Sequence, residues 1–211
     1  MMKIDEQLLI IEELLLSMAN QVRLMMEQSK KALFEAKKDQ ALFIIESDAH
    51  VNNSELEINE TCIQVLSLLQ PVATDLRRVL VAIKIAKDLE RIGDYAKNIS
   101  RYIIKNQKFP ELLVEDALYI FDLFFKNYDA TIQIMQTDDI PLAYETAEAD
   151  EFMDEAFKRI ALKIDKSNRD NQIISYATVG LLRNIERAGD HTKNICEHVI
   201  YRKKAHFVDF G

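Results

Sequence analysis

Near the start of the chain, apolar and small positions recur every three or four residues. Leu8, Ile11, Leu15, Met18, Val22, Met25, Ser29, Ala32 and Ala36 form a single stripe. This is the spacing of one face of an amphipathic α-helix, and it predicts a first helix over roughly residues 5–37. The polar triplet Lys37-Lys38-Asp39 reads as a turn, and a second helix is expected over about 40–69. Pro71 ends it, because proline disfavours helical backbone in the residue before it. Proline is also welcome in a first helical turn, so a third helix is expected to start there and run to about 107. After Phe109-Pro110-Glu111 the pattern restarts, with Leu112, Leu113, Ala117, Ile120, Phe124 and Phe125 on a fourth helix over about 111–136. Thr137-Asp138-Asp139 supplies turn and capping residues, and Pro141 falls in the first turn of a fifth helix that runs to about 166. Ser167–Asn171 is a polar loop, and a sixth helix is expected over about 171–204. No period-two alternation is long enough to read as a strand.

Residues 84–104 read KIAKDLERIGDYAKNISRYII and residues 180–200 read GLLRNIERAGDHTKNICEHVI. At an offset of 96 they share 8 of 21 positions, seven of them inside the string ERxGDxxKNI. Two copies, on the third and sixth helices, imply a whole-domain duplication. The expected fold is all-α, with six long helices as two three-helix bundles, one over 1–109 and the other over 110–211. Composition agrees: only 4 Gly and 3 Pro leave few turns, and 48% hydrophobic residues suffice for a core.

There is no apolar run of the roughly 18 residues that a membrane span needs. The N-terminus turns acidic at Asp5-Glu6 without an apolar signal core, so a cytoplasmic location is expected. The formal net charge of −8 argues against nucleic acid as a partner, since phosphate contacts want a basic face. Cys62 and Cys196 lie inside helical patterns with no CxxC and no histidine at ligand spacing, and read as buried thiols.

The repeat carries paired acids. Glu90 and Asp94 are four residues apart, as are Glu186 and Asp190, so each pair lies on one helix face. Ile85, Leu89, Ile92, Ala96, Ile99 and Ile103 occupy the other side of the third helix, which places the acids on an outward or inter-helix stripe. The second and fifth helices carry matching strings, ESDAHVN with Asp48 and Asn52, and EADEFMD with Asp150 and Asp154. If these helices are neighbours, each half brings two acid stripes together as an all-oxygen site for hard or borderline cations such as Fe, Mn, Mg or Ca. The alternative is a solvated face neutralised by Lys87, Arg91, Lys97 and Arg101. Other chemistry is not expected. Gly93 and Gly189 sit in helices and read as close-packing points, and no histidine follows a Glu by three residues as in di-iron bundles. No nucleophile–base arrangement appears, so the chain is not read as an enzyme. His191 reads as a surface histidine, and the basic end Tyr201-Arg202-Lys203-Lys204 as a helix C-terminus complementing its dipole.

The string Gln70-Pro71-Val72-Ala73-Thr74-Asp75-Leu76-Arg77, followed by Leu89-Glu90-Arg91-Ile92-Gly93-Asp94, resembles the signature of the PhoU phosphate-uptake regulators. So does Ile185–Glu197 in the second half, and the resemblance covers nearly the whole chain. It implies bundles related by a pseudo-twofold axis. It also implies multinuclear metal clusters, of iron or zinc, on E/D-xxx-D motifs. Carried onto this sequence, the ligands are Asp48, Glu90, Asp94, Asp150, Asp154, Glu186 and Asp190, with neutral Asn52 where a second acid is expected beside Asp48. The family implies negative regulation of the phosphate-starvation response by an adaptor between a phosphate ABC transporter and a sensor histidine kinase. Exposed apolar residues on long bundles are compatible with a homodimer. The competing readings are a carboxylate-bridged metal store or metalloenzyme, a purely structural helical scaffold, and an accessory to another phosphate transporter.

Overall fold

The computed structural model describes residues 3–106, 108–170 and 174–210. The described chain is helical, with no strand: α1 Lys3–Glu35, α2 Lys38–Leu69, α3 Ala73–Lys105, α4 Val114–Thr137, α5 Ile140–Glu148, α6 Asp150–Arg169 and α7 Tyr176–Lys204, with a 3₁₀ turn Glu111–Leu113 before α4.

The first stripe is buried from Leu8 to Ala32, and its last member, Ala36, lies exposed beyond the helix. Ala36 takes a left-handed conformation at φ 53°, and the Lys37 N–H donates to the Ala32 carbonyl at 3.0 Å. This satisfies an orphan carbonyl and reverses the chain, so α2 starts at Lys38 rather than after the Lys-Lys-Asp triplet. The third helix also departs from expectation. Gln70 is left-handed and Val72 extended, which leaves Pro71 in the connection rather than in a first helical turn. The fifth predicted helix is two abutting segments. At Ala149 the rod tightens, with the Phe152 N–H donating to the Ala149 carbonyl at 3.2 Å, and α6 restarts at Asp150. Asp139 caps α5 as expected, its carboxylate accepting from the Leu142 N–H at 3.0 Å. α7 begins at Tyr176, capped by Ser175, later than the predicted 171; residues 171–173 lie outside the described residues.

α1, α2 and α3 pack as one bundle, and α4 to α7 as the other. Bundle meets bundle where α3 lies on α7 and α1 on α4. Phe121, Phe124 and Tyr128 of α4 are fully buried, each worth roughly 2–3 kcal/mol of transfer free energy. The buried polar tips at these joints are paired. The Tyr128 hydroxyl donates to the Ala19 carbonyl at 2.9 Å, and the Tyr102 hydroxyl lies 3.0 Å from Thr178 Oγ1. Both cysteines are buried free thiols, with burial pushing Cys62 up to about 11 and Cys196 up to about 12. At the far end of α7, Arg202 and Lys203 pair with Asp138 at the end of α4, so this basic turn is tied into the fold. Among the described residues, no helix is long and apolar enough to cross a membrane.

Candidate metal centre

The string ERxGDxxKNI sits mid-helix on α3 and again on α7, and each copy faces an acid-bearing helix, α2 or α6. Its glycine sets the approach. A Cβ built on Gly93 would lie 3.2 Å from Val51 Cγ1 of α2. One on Gly189 would lie 2.8 Å from Met153 Cε and 3.0 Å from Asp150 Oδ1 of α6. These are the close-packing points expected from the sequence, and they carry Asp48 and Asp150 inward. Both aspartates are buried, at 7% and 3% exposure, rather than on an open acid stripe.

In the first half the acids are already neutralised. The Lys97 ammonium lies 2.6 Å from Asp48 Oδ2 and 2.5 Å from Asp94 Oδ1, the place a cation would take between two carboxylates. Asn52 donates to Asp48 Oδ2 at 3.2 Å. Glu90 turns to Lys87 at 2.8 Å, and Arg91 reaches Glu90 and Asp94 at 3.8 and 3.6 Å. Burial alone would lower the Lys97 ammonium, but its hydrogen bonds to Asp48 and Asp94 outweigh that and raise it. Arg101, also expected to help, bonds Asn98 instead, at 3.1 Å.

The second half has the same lysine but more charge. Oxygens of Asp150, Asp154 and Asp190 all lie within 4.8 Å of one another, the only such ligand group among the described residues. The Lys193 ammonium is 3.2 Å from Asp150 Oδ2. The pull of Lys193 does not outweigh burial at Asp150. Burial, against the pull of Lys193 and with repulsion from Asp190 and Asp154, pushes the Asp150 carboxyl up to about 6. Asp190 is raised by burial and by Asp154 against the pull of Lys193, His191 and Arg187, and Glu186 by burial and by Asp190 against Arg183 and Arg187. Glu186 lies beside the group on α7 without joining its three mutually close oxygens. Among the acid positions and the lysine the two halves differ at one: Asp154 stands where the first half has Asn52.

The donor set here is all oxygen, partly dry and short of positive charge, which fits a hard or borderline cation held by Asp150, Asp154 and Asp190. A cavity of about 420 Å³ opens beside it, lined by Glu148, Asp150, Glu151, Asp154, Lys158 and Phe210 among others.

His191 is not an ordinary surface histidine. It is half-buried at the α3–α7 joint, with Nδ1 2.8 Å from Asp88 Oδ1 and Nε2 3.4 Å from the Tyr95 hydroxyl. His198, two turns further along α7, brings Nε2 to 3.1 Å from Asp88 Oδ2. Burial alone would raise the Asp88 carboxyl, but hydrogen bonds from the two histidines hold it below the usual carboxylate range. Sequence reasoning missed this clasp because the repeat partner of Asp88 is Asn184. The seven-residue spacing of the two histidines was the available signal.

A duplicated helical bundle, with a carboxylate-bearing helix pair in each half, is the class that fold and site define. Comparison with known proteins places it more narrowly. The PhoU domain matches residues 15–103 and 120–199, and the chain belongs to the PhoU family. A phosphate-specific transport system accessory protein PhoU homolog of Pseudomonas aeruginosa is 32% identical, over 89% of this chain and 79% of its own length. The Escherichia coli accessory protein PhoU is 30% identical over 90% of this chain and 80% of its own. The crystal structure of PhoU from P. aeruginosa superposes with a TM-score of 0.86 at 28% identity, covering 97% of this chain and 100% of that one. A PhoU structure from Streptococcus pneumoniae shares the fold, with a TM-score of 0.92 at 24% identity over 99% of this chain and 100% of its own.

Proposed function

We propose that the chain is a cytoplasmic accessory protein of phosphate transport that represses the phosphate-starvation response. In this reading it is an adaptor between a phosphate ABC transporter and a sensor histidine kinase, and carries out no chemistry of its own. The relatives named as phosphate-specific transport system accessory proteins support the transport part. Coupling of this kind requires two contact surfaces whose affinities depend on the state of the transporter.

We further propose that Asp150, Asp154 and Asp190, with Glu186 beside them, hold iron or zinc, and that Asp48, Glu90 and Asp94 hold metal only weakly. The observation that carries this is the cluster of three close carboxylate oxygens on α6 and α7. A bound cation would supply the missing positive charge and brace α6 against α7. A redox or storage role has less support, since the Glu-x-x-His pattern of di-iron bundles does not occur.

The adaptor reading is tested in a strain lacking the gene for this chain, with a reporter driven by a phosphate-starvation promoter. The expected result is expression in phosphate-rich medium, repressed again by the wild-type chain and dependent on the kinase. A reporter that stays silent without the chain contradicts the reading.

A further inference from the structure

α2 carries a second heptad stripe besides the one it buries. Leu42, Ile45, Ala49, Leu56 and Ile63 follow one another at the spacing of positions that alternate by three and four, with Asn52 and Asn59 between them. None of the five is buried, and Leu42, Leu56 and Ile63 are 49%, 56% and 60% exposed. The stripe is about 30 Å long at the helical rise. The ion pairs Lys97–Asp48 and Lys87–Glu55 fix the antiparallel register of α2 on α3, and that register sets Ile63 level with Leu80. Leu76 and Leu80 are themselves exposed, so the start of α3 adds apolar surface at that level.

Charge says what fits there. α2 contains six acids and one lysine, and that lysine, Lys38, donates to the Ile104 carbonyl at 3.1 Å. Glu46, Glu57 and Glu60 border the stripe, are exposed, and make no ion pair among the described residues. On the α1–α4 side the exposed acids Asp122 and Asp129 are matched, by Lys30 at 2.6 Å and by Arg23 at 2.5 Å. α5 and α6, together the counterpart of α2, carry seven acids but also five bases. An exposed apolar stripe edged by unmatched acids repels anionic lipid and places acid against acid in a parallel or antiparallel α2–α2 pairing with a second copy.

We propose that this face of α2, with Leu76 and Leu80 of α3, is a docking site for an amphipathic helix of a partner protein whose apolar stripe is flanked by Lys or Arg. Apolar anchors enter between α2 and α3, and the flanking cations meet Glu46, Glu57 and Glu60. The surface lies in the half whose inner acids are neutralised by Lys97. The inference deepens the adaptor reading and rests on it for its biological role.

The test uses a fluorescent synthetic peptide of about 21 residues, helical, with Leu at the heptad apolar positions and Lys beside them, and a twin with Glu for Lys. Both are titrated by anisotropy into the full chain, into Leu56→Ser/Ile63→Ser, into Glu57→Lys/Glu60→Lys, and into Glu151→Lys/Glu155→Lys as an α6 control, each checked for helicity by circular dichroism. The expected result is about tenfold preference for the Lys peptide, about tenfold weaker binding in either α2 variant, and little change in the control. Equal weakening in the control, or no preference between peptides, overturns the proposal. So does a dimer in sedimentation that Leu56→Ser/Ile63→Ser dissolves, or tighter binding to phosphatidylglycerol vesicles than to the peptide. Reporter repression by the chain is scored separately. Repression retained by a Leu56→Ser/Ile63→Ser chain that has lost the peptide rejects this surface as the regulatory contact and leaves the adaptor reading standing.

Discussion

The two halves repeat one motif and put it to different electrostatic ends. On α3 and α2, Lys97 sits between Asp48 and Asp94 and Asn52 adds an amide, so the carboxylates find their counter-charges within the chain. On α7 and α6 the equivalent Lys193 faces a larger set, because Asp154 replaces the amide. Among the acid positions, one CONH₂ in place of one COO⁻ is what distinguishes the first half from the second. Duplication preserves a scaffold while substitutions change the charges mounted on it.

The comparison breaks most visibly at the first-half lysine. Lys97→Met leaves Asp48 and Asp94 facing each other with little solvent, and is expected to cost about 3 kcal/mol in chemical denaturation. The same change at Lys193 is expected to cost the metal-free protein a similar amount, most of it restored when zinc is added. A Lys97→Met protein as stable as wild type contradicts the ion-pair account of the first half.

The next effect is on pH dependence. The folded-state carboxyl of Asp150 is raised from 3.8 to about 6, so the native state holds its proton more tightly than the unfolded chain does. Its contribution is therefore present below about pH 4 and lost as pH rises to about 6. In chelator-treated protein, Asp150→Asn is expected to remove that loss and to be more stable than wild type at pH 7 by about 2 kcal/mol. Metal affinity of the wild type should rise through the same window, since the ligand is the carboxylate. Parallel stability–pH curves for the two metal-free proteins contradict this reading.

Asn52→Asp sharpens the comparison by giving the first half the acid set of the second. It is expected to destabilise metal-free protein by about 1 kcal/mol through repulsion and to add metal-dependent thermal stabilisation beyond that of the weakly binding wild-type first half. Differential scanning calorimetry with and without zinc checks both signs. The smallest effect is expected at the thiols. Cys62 and Cys196 should resist a thiol reagent in native protein and react at once in denaturant, because both are buried and their thiols are raised to about 11 and about 12.

Much of the scaffold was legible because it depends on period. The stripe from Leu8 to Ala32, the Ile85–Ile103 face and the repeated ERxGDxxKNI each gave an element its buried side, and the glycines marked close approach. Connections were less legible. The tightening at Ala149 has no Gly or Pro to announce it, and left-handed Ala36 and Gln70 are not residues that ask for that conformation. Within the site, the sequence identified the acids and the Asn52 departure. It could not give depth, since the burial of Asp48 and Asp150 depends on how close Gly93 and Gly189 let the facing helices come. Nor could it give the Asp88–His191–His198 clasp, which joins residues 103 positions apart and has no counterpart in the repeat.

The most direct test of the division between the halves is metal content by mass spectrometry on untagged protein purified without chelator and then reloaded with iron or zinc. Wild type is compared with Asp150→Ala/Asp190→Ala and with Asp48→Ala/Asp94→Ala, each checked for helicity. The account predicts bound metal in the wild type, most of it lost from the second-half variant and most of it kept by the first-half variant. Equal loss from both variants, or no metal in any of the three proteins, contradicts it.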